Sequence, residues 1–155
     1  MLVSAVFSQS TNRALLMGIG DYPENPSLNQ TWPDLSSMND LKILQVSLRN
    51  IGFESKNIIT LSNEQVTVDN IKKTFDSLIL VSHEGDNIYV HFSGHGQQVT
   101  DASGNWLNRK NCDVDERDDG FDEALVTYYA PVSYYEGYKL EHHLLDDELG
   151  YYLNR

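Results

Sequence analysis

Apolar positions in this chain fall into two rhythms, one of strands and one of helices, that take turns along it. Residues 13–22, RALLMGIGDY, form a continuous apolar run closed by Gly18, Gly20 and Asp21, as expected of a central parallel strand covered on both faces. A loop with Pro23, Pro26 and Pro33 follows, and then SSMNDLKILQVSLRNIGF puts Leu41, Leu44, Leu48 and Ile51 at helical spacing. Ser37 and Asp40 resemble a capping box, and Gly52 suits the helix stop. NIITL, residues 57–61, predicts a short strand. TVDNIKKTFDSLIL predicts a helix capped by Thr67, with Ile71, Phe75 and Leu78 on one face. In DNIYVHFS, residues 86–93, Ile88, Val90 and Phe92 alternate with Tyr89, His91 and Ser93 to give a third strand. EALVTYYA, 123–130, is a fourth by its β-branched and aromatic content, and a last helix begins near Asp146.

Strands alternating with helices imply an α/β fold, a mostly parallel sheet with helices on both faces. No repeat, low-complexity tract or linker divides the chain, so residues 13–155 read as one domain and 1–12 as a flexible N-terminus or leader remnant. Ligands of such sheets bind beyond the C-terminal ends of the strands. Asp21 and His95 both fall there.

Charge narrows the partners. Eleven Lys plus Arg stand against 23 Asp plus Glu, a net charge of −12, of which about −4 belongs to residues 1–100 and about −8 to 101–155. Such acidity speaks against nucleic acid, whose phosphates need basic patches, and for a cationic substrate or a hard metal ion. Apolar residues at 40% leave enough for a core. The single cysteine, Cys112, excludes an intramolecular disulfide and a Cys-x-x-Cys metal knuckle. No stretch approaches the roughly 18 apolar residues of a membrane span, so no membrane partner is expected. The compartment stays open: a soluble protein, cytoplasmic, or exported if residues 1–12 are a leader remnant.

The third strand runs into SGHGQQ, with His95 between two glycines that clear space around the imidazole and let the backbone turn. A strand-end turn with a surface histidine would give the same letters. The order of motifs decides between them: RALLMGIGDY as first strand, MNDL opening the first helix, HFSGHGQQ at the third strand's end, DERDDGFDEAL before the fourth, LLDDEL opening the next helix. From Arg13 to the last residue this order resembles the caspase-like cysteine peptidases, in particular metacaspases and related bacterial peptidases of the caspase large-subunit type.

The resemblance implies a three-layer caspase-like α/β domain, incomplete at its C-terminus. It makes His95 the acid/base and the Gly96 amide an oxyanion donor, the glycines admitting a peptide carbonyl beside the imidazole. The nucleophile of the family follows the next parallel strand in an Asp-x-Cys-His-Ser-Gly type sequence, which is not reached before Arg155. Cys112 is a poor substitute, since its polar loop is rich in carboxylates that disfavour a thiolate. The expectation is therefore an incomplete large subunit, inactive alone, of an endopeptidase cutting after Arg or Lys. Its partners would be a protein or peptide substrate with a basic residue at the cut and the remainder of the peptidase domain. The alternative is a caspase-like interaction or regulatory module that has lost the nucleophile.

Residues 113–123 hold seven acids in DVDERDDGFDE, but an EF-hand register from Asp115 fails, with Arg117 at its third position and Val126 where the bidentate glutamate belongs. Resemblance to calcium-activated metacaspases offers another site, Asp122 with Asp146 and Asp147, and calcium is the one cofactor it implies. Helix capping by Asp146 would explain the pair without a metal. Asp40 has a similar double reading: a capping acid, or, by resemblance, a wall of the pocket for the basic residue before the cut. His91 and His95 on one strand stand too far apart to share zinc. His142 and His143 read as surface residues, and Tyr128, Tyr129, Tyr134, Tyr135 and Tyr138 as cover for a sheet edge and a loop.

Overall fold

The computed structural model describes residues 10–24, 30–100, 121–133 and 138–155. Cys112, Tyr134, Tyr135 and the acidic stretch up to residue 120 lie outside them. Strand β1 (Asn12–Gly18) pairs in parallel with β2 (Ile58–Ser62) on one side and β3 (Asn87–Ser93) on the other, giving the order β2–β1–β3. Its apolar run follows from that central place. Leu15 and Met17 pack with Ile71, Phe75 and Leu78 of α2 (Val68–Val81), while Ala14 and Leu16 pack with Leu41 and Leu48 of α1 (Ser37–Asn50). Because β2 and β3 flank β1 on opposite sides, right-handed crossovers carry the two helices to opposite faces. Helices on both faces of a parallel sheet are thus as expected.

Local chemistry sets the boundaries. Thr67 accepts the Asn70 N–H at 3.2 Å and caps α2 as predicted. At the end of α1 the Gly52 N–H reaches the Arg49 carbonyl and the Phe53 N–H the Leu48 carbonyl, with Gly52 at φ +99°. That is a Schellman stop, and the Phe53–Leu48 apolar contact that accompanies it is present in one buried cluster. The start of α1 departs from expectation: Ser36 is the cap, without a side-chain bond, and Ser37 lies buried inside the first turn. Asp40 is diverted from capping because its carboxylate accepts the Ser93 hydroxyl at 2.7 Å. Ile51, past the last turn, is 70% exposed rather than on the buried face.

The predicted fourth strand is a correction of larger consequence. Residues Phe121–Val126 form β5, which pairs antiparallel with β4 (Gly96–Thr100) and with β6 (His143–Leu145) in a separate sheet ordered β4–β5–β6. β4 and β6 are short, five and three residues, which leaves little periodicity to read. The final helix, α3 (Asp146–Leu153), begins where predicted, although Leu145 is its cap position and Asp146 its first residue. Tyr152 of α3 stacks on Phe75 at 5.2 Å, so α3 joins the α2 layer.

Among the described residues β3 has β1 as its one sheet neighbour. Beside it lies a groove of about 760 Å³ lined by Phe75, Leu78, Val90, Phe92, Leu149 and Tyr152, among others. No helix among the described residues is long and apolar enough to cross a membrane.

Candidate active site

His95 sits where the chain leaves one sheet and enters the other, at the C-terminal edge of the parallel strands. In the order β2–β1–β3 the connections diverge from β1, so the crevice between the ends of β1 and β3 is a topological switch point. The structure brings four elements there: the end of β1 with Tyr22, the loop with Trp32 and Pro33, the first turn of α1 with Asp40, and the β3–β4 corner with Ser93, His95 and Gly96. β3 itself ends at Ser93, so His95 is off the strand that carries His91.

The imidazole of His95 is clasped. Trp32 stacks on it at 5.0 Å between ring centres with the planes 29° apart, and Tyr22 lies 5.2 Å away on a tilt. The Tyr22 hydroxyl accepts the His95 backbone N–H at 3.0 Å and donates to the Val126 carbonyl at 3.4 Å. Burial pushes the Tyr22 hydroxyl pKa up, with the His95 N–H pulling the other way, so the phenol keeps its proton. The Trp32 indole N–H is in turn fixed on the Ala130 carbonyl at 2.8 Å. His95 Nε2 lies 2.8 Å from the Pro33 carbonyl, which can only accept. Nε2 therefore carries the proton in the neutral ring and Nδ1 holds the lone pair.

Gly96 has a distinct geometry. The Val126 N–H donates to the His95 carbonyl at 2.9 Å, and Gly96 is directly opposite Leu125. In an antiparallel ladder the bonds on either side of such a pair come from its neighbours, so the Gly96 N–H points away from β5. Gly96 is exposed, and a Cβ there would meet only the Ala124 carbonyl at 3.7 Å. Gly94 is different: a Cβ would fall 2.5 Å from Phe92 Cζ and 3.0 Å from the Tyr22 hydroxyl. Among the described residues the positive-φ glycines are Gly52 and Gly85. Packing against Phe92 first and Tyr22 second, not a positive φ, is thus what requires glycine at 94.

Asp40 is exposed on the first turn of α1, and its bond to Ser93 anchors it two residues from His95. The end of β1 is held by Asn63, whose side-chain oxygen accepts the Gly20 N–H at 2.9 Å and whose amide donates to Asp21 at 3.1 Å. Asn63 adopts φ +44°, a conformation Asn tolerates.

The acidic trio is less well gathered. β5 and β6 pair Ala124 with Leu145, a register that continued would set Asp122 level with Asp147. Asp146, however, turns a carboxylate oxygen to the Asp147 N–H at 3.0 Å. Among the described residues no three His, Cys, Asp or Glu side chains are grouped to hold a metal ion. No chemistry below runs through a metal at these carboxylates.

His143 corrects the surface reading. It is 1% exposed, with Nδ1 2.7 Å from the Tyr138 hydroxyl and Nε2 2.8 Å from the Gln97 side-chain oxygen. Burial, aided by neighbouring His142 and opposed by Glu141, lowers its pKa to about 4. A three-residue strand placing one histidine of an adjacent pair inward had no visible pattern in the chain. Tyr22, Trp32 and Pro33 were missed as well, though their place in the loop after the first strand was the signal available.

The family model of the metacaspase peptidase C14 domain matches residues 12–151. This chain belongs to that family. Metacaspase-1A of Aspergillus oryzae is 27% identical over 146 residues, 90% of this chain and 29% of the relative. Metacaspase III c of Phaeodactylum tricornutum is 30% identical over 131 residues, 81% of this chain and 33% of the relative. The metacaspase domain thus occupies almost the whole chain, which spans about three-tenths of the length of these relatives. In three dimensions the crystal structure of protein GSU0716 from Geobacter sulfurreducens matches with a TM-score of 0.66 at 20% identity, over 92% of this chain and 44% of that one. The fold is the caspase-like α/β arrangement, with the antiparallel sheet as its second part.

Proposed function

We propose that this metacaspase chain supplies the histidine half of a cysteine endopeptidase site, and that the remainder of the peptidase domain supplies the thiol. The supporting observation is the pairing at the switch point: an imidazole whose Nε2–H is committed to Pro33, leaving Nδ1 for chemistry, beside a Gly96 N–H directed away from its ladder.

In the reaction His95 Nδ1 takes the proton of a cysteine thiol. The thiolate attacks the scissile carbonyl carbon, and the Gly96 N–H donates to the oxygen as it becomes anionic. The carbon–nitrogen bond then breaks as Nδ1 returns the proton to the departing amine, leaving a thioester. Water, deprotonated by the same nitrogen, hydrolyses the thioester to a carboxylic acid and restores the thiol. Asp40, exposed and anchored through one oxygen, suits a guanidinium or ammonium on the residue before the cut. The β3 edge, which no described strand pairs, and the groove beside it are the surface on which the rest of the domain would pack.

On this reading the isolated chain hydrolyses no Arg- or Lys-based fluorogenic peptide. Cleavage abolished by Cys112→Ala would overturn the assignment of the thiol to another segment.

A further inference from the structure

A second cavity, of about 260 Å³, lies between the loop after β1 and the segment after β5. Its apolar walls are Pro23, Trp32, Tyr129, Ala130, Pro131 and Val132, and Glu24, Gln30 and Thr31 complete the lining. Neither Asp40 nor Ser93 is among its lining residues, so it is separate from the acid that faces a basic side chain. Its link to the chemistry is Trp32: the indole that stacks on His95 is also a wall of this cavity and is fixed by its N–H to Ala130. At about 260 Å³ it falls below the ~300–1,000 Å³ of sites that enclose a whole small ligand, and suits one side chain.

We infer that this cavity binds the side chain of the residue following the scissile bond, and that it selects an apolar or aromatic residue there. The inference rests on the proposed peptidase reading. In that reaction His95 protonates the departing amine, so the residue bearing the amine must leave from beside the imidazole, and the Trp32 wall is adjacent. The greater part of the lining, two prolines, an indole, a phenol, an alanine and a valine, offers apolar contact and aromatic faces at low entropic cost, with Gln30 and Thr31 as polar margin. Glu24 at the same cavity, on a chain of net charge −12, disfavours an acidic residue in that place.

The test uses the intact chain, isotopically labelled, and dipeptide amides with a free N-terminus that mimic the departing product. The probes are Phe-Ala-amide and Asp-Ala-amide, and the readout is the indole N–H resonance of Trp32, assigned with Trp32→Phe. Phe-Ala-amide is expected to move that resonance saturably and to bind about tenfold or more tighter than Asp-Ala-amide. Val132→Trp, which fills the cavity, should abolish the difference, and Tyr129→Ala should reduce it. A peptide carrying arginine is titrated in parallel, followed at the backbone resonances of Asp40 and Ser93. If arginine binds there while both dipeptides act alike on Trp32, or Val132→Trp changes nothing, the cavity assignment falls and the peptidase reading stands. If no peptide perturbs either place, both fall.

Discussion

Acidification should weaken this fold through one histidine. His143 is buried on β6 as a neutral ring that accepts from Tyr138 at Nδ1 and donates to Gln97 from Nε2. In the unfolded chain its pKa returns to 6.5, against about 4 when folded. Between those values the unfolded state binds a proton that the folded state does not, so stability falls as pH drops below about 6.5 and the loss is complete below about 4. At about 1.4 kcal/mol per pH unit the span amounts to about 3 kcal/mol, a large part of the ~5–15 kcal/mol that holds a typical domain. Protonation would put a hydrogen on Nδ1 facing the Tyr138 hydroxyl, which already accepts the His142 N–H at 3.2 Å. Urea titrations from pH 7 to 4, compared with those of His143→Gln, isolate this contribution from the other histidines and the carboxylates. The wild type should lose about 3 kcal/mol more than the variant over that range. Parallel losses, or an NMR titration placing the His143 ring near 6.5, would refute the argument; the NMR measurement serves even if the variant does not fold.

Other outcomes separate packing from chemistry. Gly94→Ala should destabilise by about 1–3 kcal/mol, because its Cβ meets Phe92 and the Tyr22 hydroxyl, whereas Gly96→Ala should leave the urea midpoint nearly unchanged; equal effects would contradict the roles given to the two glycines. By the resemblance to calcium-activated metacaspases, calcium titrated calorimetrically should give a weak heat that Asp146→Ala/Asp147→Ala loses. Equal heats with both proteins would mean that Asp146 and Asp147 hold no ion. The apolar groove beside β3 should make the isolated chain self-associate at high concentration, as sedimentation would show; a monomer at all concentrations would contradict that.

The parallel half of the fold was legible because its elements are long and strongly patterned. β1 is apolar on both faces, α2 has its Thr67 cap, and Gly52 stops α1 in a left-handed conformation that favours glycine. The antiparallel half was not. β4 and β6 are too short for a period, and EALVTYYA looks alike whether its strand pairs parallel or antiparallel. At the site, motif order pointed to His95, Gly96 and Asp40, and the structure has all three at the C-terminal edge of the parallel strands, where the switch-point rule looks for ligands. It could not show that Trp32 and Tyr22 clasp the imidazole, because such contacts join loops far apart in the chain. Nor could it distinguish the two glycines, one held by packing and the other exposed.

The proposed role of His95 stands or falls on its replacement within the complete peptidase. Steady-state cleavage of an Arg-based fluorogenic peptide should show a kcat lowered by about 10²–10⁴ in His95→Ala, with KM little changed, because on the proposed reading the group lost moves protons rather than binding the side chain before the cut. A His95→Ala enzyme that cleaves at the wild-type rate would mean that this imidazole is a packed corner residue and that the chain's chemistry lies elsewhere.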